Sequence, residues 1–521
     1  MQPADFTFAA LTPTAFLDRS SSAFGDRLAV VDGQISLSYL DLAARCDHLV
    51  SALARSGVGA GDRVAALCAN SHVMLELHHA VPRRGAVLVS VNIRLAPQEM
   101  AYILEHSGAK LLVATREFAE LAQRLAAQLG IACVAEDAAA VGGEDYEEWL
   151  FAADVRRADR IEVDERDLLA INYTSGTTGA PKGVMYHHRG AYLQSVAMAY
   201  HAELRPGSRY LWTLPMFHCN GWCFTWAVTA AAGTHVCLRA VDTGEIWRLL
   251  TAEGVTHFSA APTVLTMIAS DKASTPLTPR VHVDTGGAPP SPSLLARLEA
   301  LGLDVTHLYG LTETFGPVAV NQWQPEWDHL APEDKSVRRA RQGVSNVIAR
   351  PLRVLDAAGD DVTADGATIG EIGIAGNDVM LGYYRDDEAT RAVTRSGCFL
   401  TGDLAVMHPD GYVEIRDRSK DIIISGGENI ASVEVERVLD AHPAVLESAV
   451  VGTPDERWGE ALVAYVTLRA SAEVTADDLT SFARQRLAGF KVPRRYVFGD
   501  LPKTSTGKIQ KNLLRAQSQQ A

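Results

Sequence analysis

Between residues 27 and 170 the apolar positions switch repeatedly between two periods. Arg63-Val64-Ala65-Ala66-Leu67-Cys68 and Lys110-Leu111-Leu112-Val113-Ala114 are short apolar runs that read as buried strands. Leu40 to Ser56 and Glu117 to Leu129 carry apolar residues at the three-and-four spacing of amphipathic helices. Such alternation predicts a mostly parallel sheet covered by helices. The texture resumes later: strand over Thr256–Ala261, helix over Pro262–Ser270, strand over Val281–Asp284 and helix over Ser291–Leu301. From about Gly343 the runs shorten and are punctuated by Ala357-Ala358-Gly359-Asp360 and His408-Pro409-Asp410-Gly411, which predicts a β-rich subdomain. After Asp417-Arg418-Ser419-Lys420-Asp421 the pattern changes again. Helix (Val433–Leu439), strand (Ala444–Gly452), strand (Ala461–Leu468), helix (Ala476–Leu487) and a polar tail make a small α+β unit.

The expected fold is therefore α/β. A large N-terminal domain over 1–419 has mixed and parallel sheets with helices, its β-rich part at about 343–419, and a small α+β domain follows over 420–521. A chain of 521 residues is long enough for two or more such cores. The balance of 48 Lys and Arg against 63 Asp and Glu, net −15, argues against nucleic acid as a partner, because phosphate backbones demand basic surfaces. Cys223 to Leu238, the longest apolar stretch, is too short and too interrupted to span a bilayer. Seven scattered cysteines make no disulfide framework, and Cys219 and Cys223 beside His218 lack a second ligand pair at zinc spacing. Met1-Gln2-Pro3-Ala4-Asp5 has no signal-peptide character, so a reducing cytoplasm is the expected location.

Chemistry concentrates in Thr174-Ser175-Gly176-Thr177-Thr178-Gly179-Ala180-Pro181-Lys182-Gly183, directly after the apolar run Leu168–Tyr173. Glycines let the backbone approach an anion, hydroxyls and amides donate to it, and Lys182 supplies countercharge. A polyphosphate is implied, but not a Walker loop, which would need glycine at Pro181 and a hydroxyl at Gly183. Tyr309-Gly310-Leu311-Thr312-Glu313-Thr314 sets an aromatic plane, a hydroxyl and a carboxylate at a strand end, a set suited to a purine, a phosphate and Mg²⁺. Asp403, after Thr401-Gly402, is a carboxylate that can accept from ribose hydroxyls. Ser425-Gly426-Gly427-Glu428-Asn429 is a second small-residue loop, and Pro502-Lys503-Thr504-Ser505-Thr506-Gly507-Lys508 places a lysine after a bendable one.

In their order and spacing these motifs resemble the adenylate-forming superfamily: acyl-CoA synthetases, aryl-CoA ligases, adenylation domains of peptide synthetases and beetle luciferases. The resemblance covers essentially the whole chain, and Leu214-Pro215-Met216-Phe217-His218-Cys219-Asn220-Gly221-Trp222 is similar to the acyl-CoA synthetase branch that handles medium-chain, methylthio-alkanoic and aryl acids. The resemblance implies ATP- and Mg²⁺-dependent activation of a carboxylic acid to an acyl-adenylate, then thioester formation with CoA. Transfer to a carrier protein or partner enzyme is the alternative, and an inactive acyl- or nucleotide-binding protein a more distant one. A homodimer is carried as an expectation.

By the same resemblance Thr174, Ser175, Gly176, Thr177, Thr178, Gly179 and Lys182 cover the β- and γ-phosphates, and Glu313 holds Mg²⁺. Gly286, Gly287, Ala288, Tyr309 and Gly310 line the adenine slot, Thr312 meets the α-phosphate, and Asp403 and Arg418 fix the ribose. Lys508 neutralises the carboxylate and α-phosphate as they meet; Thr174, Glu313 and His218 join it as catalytic residues. His218, Asn220, Gly221, Trp222, Gly287 and Gly310 bound the acyl pocket, and the small residues 286–288 leave it deep enough for a long or bulky acid. The small domain is mobile about a hinge at Lys420, which brings Gly426 and Gly427 to the pantetheine arm of CoA. Lys491, Arg494 and Arg495 would favour free CoA near its portal. Two departures stand out: Cys398 and Leu400 replace a Trp and a His common before Thr-Gly-Asp, and Arg83-Arg84 replaces an apolar pair, which implies a surface or partner contact.

Overall fold

The computed structural model describes residues 8–520, apart from 153, 156–158, 175–180, 288–289, 291, 340, 419, 426–427, 456–457, 470–471 and 505–507. Among the described residues the strands assemble into four sheets. In the first, of seven strands, Glu144–Asp145, Ala132–Ala135, Ala109–Ala114, Arg63–Leu67, Val87–Ser90 and Leu168–Thr174 run parallel, and Lys182–His187 closes one edge as an antiparallel hairpin with Leu168–Thr174. In the second, of nine strands, Leu28–Asp32, Thr234–Val236, Arg209–Leu211, His257–Ala260, Val281–Thr285 and Leu303–Leu311 run parallel between antiparallel edges. The central parallel strands Arg63–Leu67 and Val87–Ser90 are almost wholly buried, as expected where helices cover both faces of a sheet.

Helix Tyr39–Arg55 shows how local sequence produces one such cover. A Ser38–Asp41 capping box starts it, and Tyr39, Leu42, Cys46, Leu49, Val50 and Leu53 form one buried stripe. Helix His72–Arg83 is buried on every side. It ends in the Arg83-Arg84 pair, and the structure explains that departure. Arg83 lies inside the molecule, bonded to Asp18 at 2.7 Å and Asp47 at 3.4 Å, while Arg84 donates to the carbonyls of Val58 and Asp159. The expected surface or partner contact is instead a tie between three helices, because each guanidinium finds its acceptors within the chain.

The third sheet is antiparallel and joins Arg353–Leu355, Ile369–Ile374, Cys398–Met407, Thr394–Arg395 and Val413–Arg418. Cys398 is buried there, its β-carbon within 3.2 Å of the position a β-carbon on Gly373 would take, so its replacement of an aromatic is a matter of packing in this sheet. The fourth sheet draws only on later residues: Ile423–Ser425, Glu428–Ile430, Gly459–Leu468, Val445–Asp455 and Arg495–Phe498. What reads as a polar tail is structured. Strand Arg495–Phe498 pairs in parallel with Gly459–Leu468, and helix Lys511–Gln520 seats Leu514 in a core with Val451 and Leu501. Its polarity reflects a short helix with only one side covered. Among the described residues no helix is long and apolar enough to cross a membrane.

Candidate active site

The glycine-rich loop is the connection of a hairpin. Thr174 ends one strand directly opposite Lys182, which begins the next. Residues 175–180, which hold the rest of the expected phosphate cover, lie outside the described residues. Gly183 lies so close to Ile171 and Tyr384 that a β-carbon would meet them at 2.8 and 3.3 Å. Residues 381–384 run alongside this strand: Tyr384 N donates to the Gly183 carbonyl at 2.7 Å and Leu381 N to that of Met185 at 3.0 Å. This pairing delivers Tyr383, which sequence reading missed. The Tyr383 hydroxyl donates to Glu313 Oε1 at 2.8 Å, and Lys182 Nζ stands 4.9 Å from the centre of its ring. One side chain thus touches both the expected phosphate lysine and the expected metal carboxylate. Its sequence signal is the adjacent aromatic pair Tyr383-Tyr384, with no motif around it.

Glu313 belongs to the short helix Thr312–Thr314 that follows strand Leu303–Leu311. Gly310 packs against the Gly316 carbonyl where no β-carbon fits, so the chain reverses tightly here. The Thr312 carbonyl accepts from the Tyr186 hydroxyl at 2.6 Å, and the Tyr186 ring stacks on Phe315. Among the described residues no three His, Cys, Asp or Glu side chains gather into a metal-holding group. A single carboxylate joined through Tyr383 to Lys182 fits Mg²⁺, because that ion takes one or two carboxylates and completes its shell with substrate phosphates and water.

Asp403 lies within a strand rather than a turn and is buried. Tyr309 donates its hydroxyl to Asp403 Oδ2 at 2.7 Å, and Arg418 Nε lies 3.0 Å from Oδ1. A carboxylate has about four acceptor positions, so capacity remains for a diol. Tyr309 therefore serves the same group from the nucleotide side. Lys508 comes to this pair from the C-terminal unit. Thr504 N donates to the Lys508 carbonyl at 2.7 Å and Lys508 N to Thr504 Oγ1 at 3.1 Å; residues 505–507 between them lie outside the described residues. Lys508 keeps solvent contact, yet desolvation first and the charge of Arg418 second push its ammonium down to about 8, against the opposing pull of Asp403. Lys420, the expected hinge, follows strand Val413–Arg418 in an exposed turn. Next to it Asp417 accepts from the Ser432 hydroxyl at 2.7 Å, and Lys511 Nζ reaches Ser432 Oγ at 2.6 Å. Ser425 and Glu428 pair as strand ends; Gly426 and Gly427 between them lie outside the described residues.

The segment expected to bound the acyl pocket has an unusual backbone. Cys219, Asn220, Gly221, Trp222 and Cys223 all have positive φ, between 50° and 62°. Cys223 N donates to the Cys219 carbonyl at 3.3 Å, which makes this one turn of left-handed helix. Such a turn costs roughly 1–2 kcal/mol for each non-glycine residue, so neighbouring contacts must hold it. Gly221 presses on the Trp212 ring, the Asn220 carbonyl accepts from Thr225 Oγ1 at 3.1 Å, and Cys219 Sγ stands 3.6 Å from Thr312 Oγ1. His218, half-buried at the start of the turn, is pushed down to about 4 by burial and by the Arg94 charge, so it is neutral near pH 7.

Two expectations about the pocket are corrected. Asn220 does not line it: the residue is 0% exposed and both ends of its amide are taken by Asn172 and His78. Nor do small residues leave it deep. A β-carbon on Gly286 would stand 3.0 Å from Trp222 Cη2, and one on Gly316 3.1 Å from Trp222 Cδ1. The indole fills the space in front of Gly286. Gly287, at φ 87°, faces open space, and Ala288 lies outside the described residues.

The sequence model of the AMP-binding enzyme family matches residues 17–384, and that of the AMP-binding enzyme C-terminal domain matches residues 434–508. An acetate/butyrate–CoA ligase of Arabidopsis thaliana, described as peroxisomal, is 44% identical over 99% of this chain and 96% of its own. A 2-methylpropanoate–CoA ligase of Humulus lupulus is 40% identical over 99% and 96%. Among solved structures, ATP-bound MatB of Rhodopseudomonas palustris superposes with a TM-score of 0.86 at 28% identity, covering 97% of this chain and 98% of that one. Its apo form gives 0.78, with 98% and 99% covered, also at 28% identity.

Proposed function

The chain belongs to the AMP-binding enzyme family and is an acid–CoA ligase, and from that premise we propose that its acid is a short alkanoic one, of the size of acetate to butyrate. ATP and the carboxylic acid give an acyl-adenylate and pyrophosphate; the CoA thiol then displaces AMP to leave the thioester. The observation that carries the short-chain reading is the Trp222 indole lying against Gly286, where a longer chain would have to pass. The named acids of the two relatives, acetate or butyrate and 2-methylpropanoate, support it.

In the first step two anions must meet, so the site has to offset repulsion and stabilise charge that develops on the way. Thr174 and Lys182, at the two ends of the loop, take the pyrophosphate end of ATP. Tyr383 holds the Glu313 carboxylate toward it. Glu313 is the residue that would hold Mg²⁺, whose chemistry is to neutralise the phosphate oxygens. Asp403, braced by Tyr309 and Arg418, fixes the ribose, and Thr312 meets the α-phosphate. Lys508 brings positive charge between the carboxylate and the α-phosphate; a charge-assisted contact of this kind is worth roughly 2–4 kcal/mol in the transition state. His218, neutral near pH 7, forms a wall of the acid pocket. The domain boundary is proposed at 419/420, with Lys420 as hinge. Rotation there withdraws Lys508 and admits the pantetheine arm beside residues 426–427. The higher TM-score to the ATP-bound than to the apo form of MatB supports reading this arrangement as the adenylating one.

The test is ATP–pyrophosphate exchange with acetate, propionate, butyrate, 2-methylpropanoate, octanoate and benzoate, then mass analysis of the products with CoA. The short acids are expected to give the highest kcat/KM, with AMP and the thioester as products. Preference for octanoate or benzoate would overturn the short-chain reading.

A further inference from the structure

The left-handed turn at 219–223 is tied on one side to the wall of the acid pocket and on the other to the strand that ends in the phosphate loop. Asn172 lies two residues before Thr174. Its amide Nδ2 donates to Asn220 Oδ1 at 2.7 Å. Asn220 Nδ2 lies 3.1 Å from His78 Nε2, and His78 Nδ1 lies 2.7 Å from the Met74 carbonyl. A carbonyl only accepts, so His78 Nδ1 carries the proton and Nε2 is the acceptor for Asn220. All donors then point one way, from Asn172 through Asn220 and His78 to Met74. Exposure of the three side chains is 2%, 0% and 0%, so no water competes for these bonds. The His78 ring is kept neutral, pushed down to about 4 by burial, as its acceptor role requires. It also packs edge-on against Trp226, whose indole N–H donates to the His78 carbonyl at 3.0 Å.

We infer that Asn220 is a positioning residue for adenylation: through Asn172 and His78 it locks the left-handed turn, and with it Trp222, to the strand that carries the phosphate loop. Residue 220 is well suited to this, because asparagine tolerates positive φ better than other non-glycine residues and offers a donor and an acceptor on one short side chain. Trp222 follows two residues later, at the same strained turn, so any relaxation of the turn moves the indole relative to Gly286. Acid-pocket depth and the placement of the pyrophosphate end of ATP are thereby set by one hydrogen-bonded chain. The inference rests on the short-acid reading above only for its link to Trp222.

The experiment uses the full-length protein with Asn220→Gly, Asn172→Ala and the double variant. ATP–pyrophosphate exchange is measured with butyrate and octanoate, with kcat and KM separated for ATP and acid, alongside Tm. Glycine accepts the backbone angle, so Asn220→Gly is expected to fold with Tm within a few degrees of the parent. Its kcat with butyrate should fall about tenfold or more, as misplacement of reacting groups does, and its preference for butyrate over octanoate should shrink by a similar factor. Asn172→Ala should reproduce both changes, and the double variant should be no worse than either single one. If Asn220→Gly fails to fold, Asn172→Ala, which leaves the turn's backbone alone, carries the same comparison. Unchanged kinetics, losses that multiply in the double variant, or an equal loss for both acids with a collapsed Tm would overturn the proposal. A wild type that prefers octanoate defeats the functional reading instead, which separates the two failures.

Discussion

Replacing Trp222 with glycine removes the indole that stands against Gly286 and relieves one position of the left-handed turn. Truncating a buried tryptophan costs roughly 3–5 kcal/mol, while the backbone relief at φ 54° returns roughly 1–2 kcal/mol. The variant should therefore be destabilised by roughly 1–4 kcal/mol, measurable as a lower Tm but tolerable for a domain of this size. Each methylene the enlarged pocket then buries contributes about 0.8 kcal/mol, close to fourfold in kcat/KM. Octanoate has four methylenes more than butyrate, so the octanoate-to-butyrate ratio should rise by roughly 200-fold, from about 3 kcal/mol of new burial. The assay is ATP–pyrophosphate exchange across the series from acetate to octanoate at saturating ATP. The kcat for acetate is expected to fall as well, because a small acid loses its wall and samples poor geometries. If the ratio stays within about threefold of wild type, a gain smaller than one buried methylene supplies, the indole does not limit the chain and the reasoning fails.

Four further outcomes follow from the structure. Lys508→Ala should abolish pyrophosphate exchange while thioester formation from a supplied acyl-adenylate survives; equal loss of both halves contradicts its role. Because the Lys508 ammonium is lowered to about 8, kcat/KM for ATP should decline as pH rises through that value, and Lys508→Arg should lack the declining limb. Tyr383→Phe keeps the ring beside Lys182 but frees Glu313; it should raise the Mg²⁺ concentration needed for half-maximal exchange about tenfold, a neutral-to-charged hydrogen bond being worth about 1.5 kcal/mol, and no shift would remove Tyr383 from the site. His72 concerns stability. Burial alone would depress it, but the hydrogen bond to Asp32 at 2.7 Å and nearby Glu147 and Glu76 raise it from 6.5 to about 9. A raised folded pKa gives stability that is complete below 6.5 and lost as pH rises through about 9, at most roughly 3 kcal/mol. Urea unfolding between pH 6 and 10 should show this loss in the parent and not in His72→Gln.

The pattern of apolar runs located strands and helices to within a few residues wherever a whole element shared one environment. Pro262–Ser270 was bounded as observed, and Arg63–Leu67 and Tyr39–Arg55 differ from expectation by a residue or so. It failed at Lys511–Gln520, where a helix covered on one side only carries too few apolar residues to show a stripe. Arg83 was misread because a buried cation looks like a surface one until Asp18 and Asp47 arrive from elsewhere in the chain.

For the site the division is similar. Short-range chemistry was legible in the chain itself: a glycine- and hydroxyl-rich loop ending in Lys182, a carboxylate after a strand, and Lys508 on a bendable turn. Which side chains meet was not, because contacts between residues 172, 220 and 78, or 313 and 383, are made by sheet order and strand register rather than by spacing. The phosphate loop is thus a property of the sequence, while the depth of the acid pocket is a property of the fold. It depends on a strained turn, held by a partner 142 residues away in sequence, that swings Trp222 onto Gly286. No local rule would predict that turn, since its backbone is unfavourable to Cys219, Trp222 and Cys223, three of the five residues that adopt it.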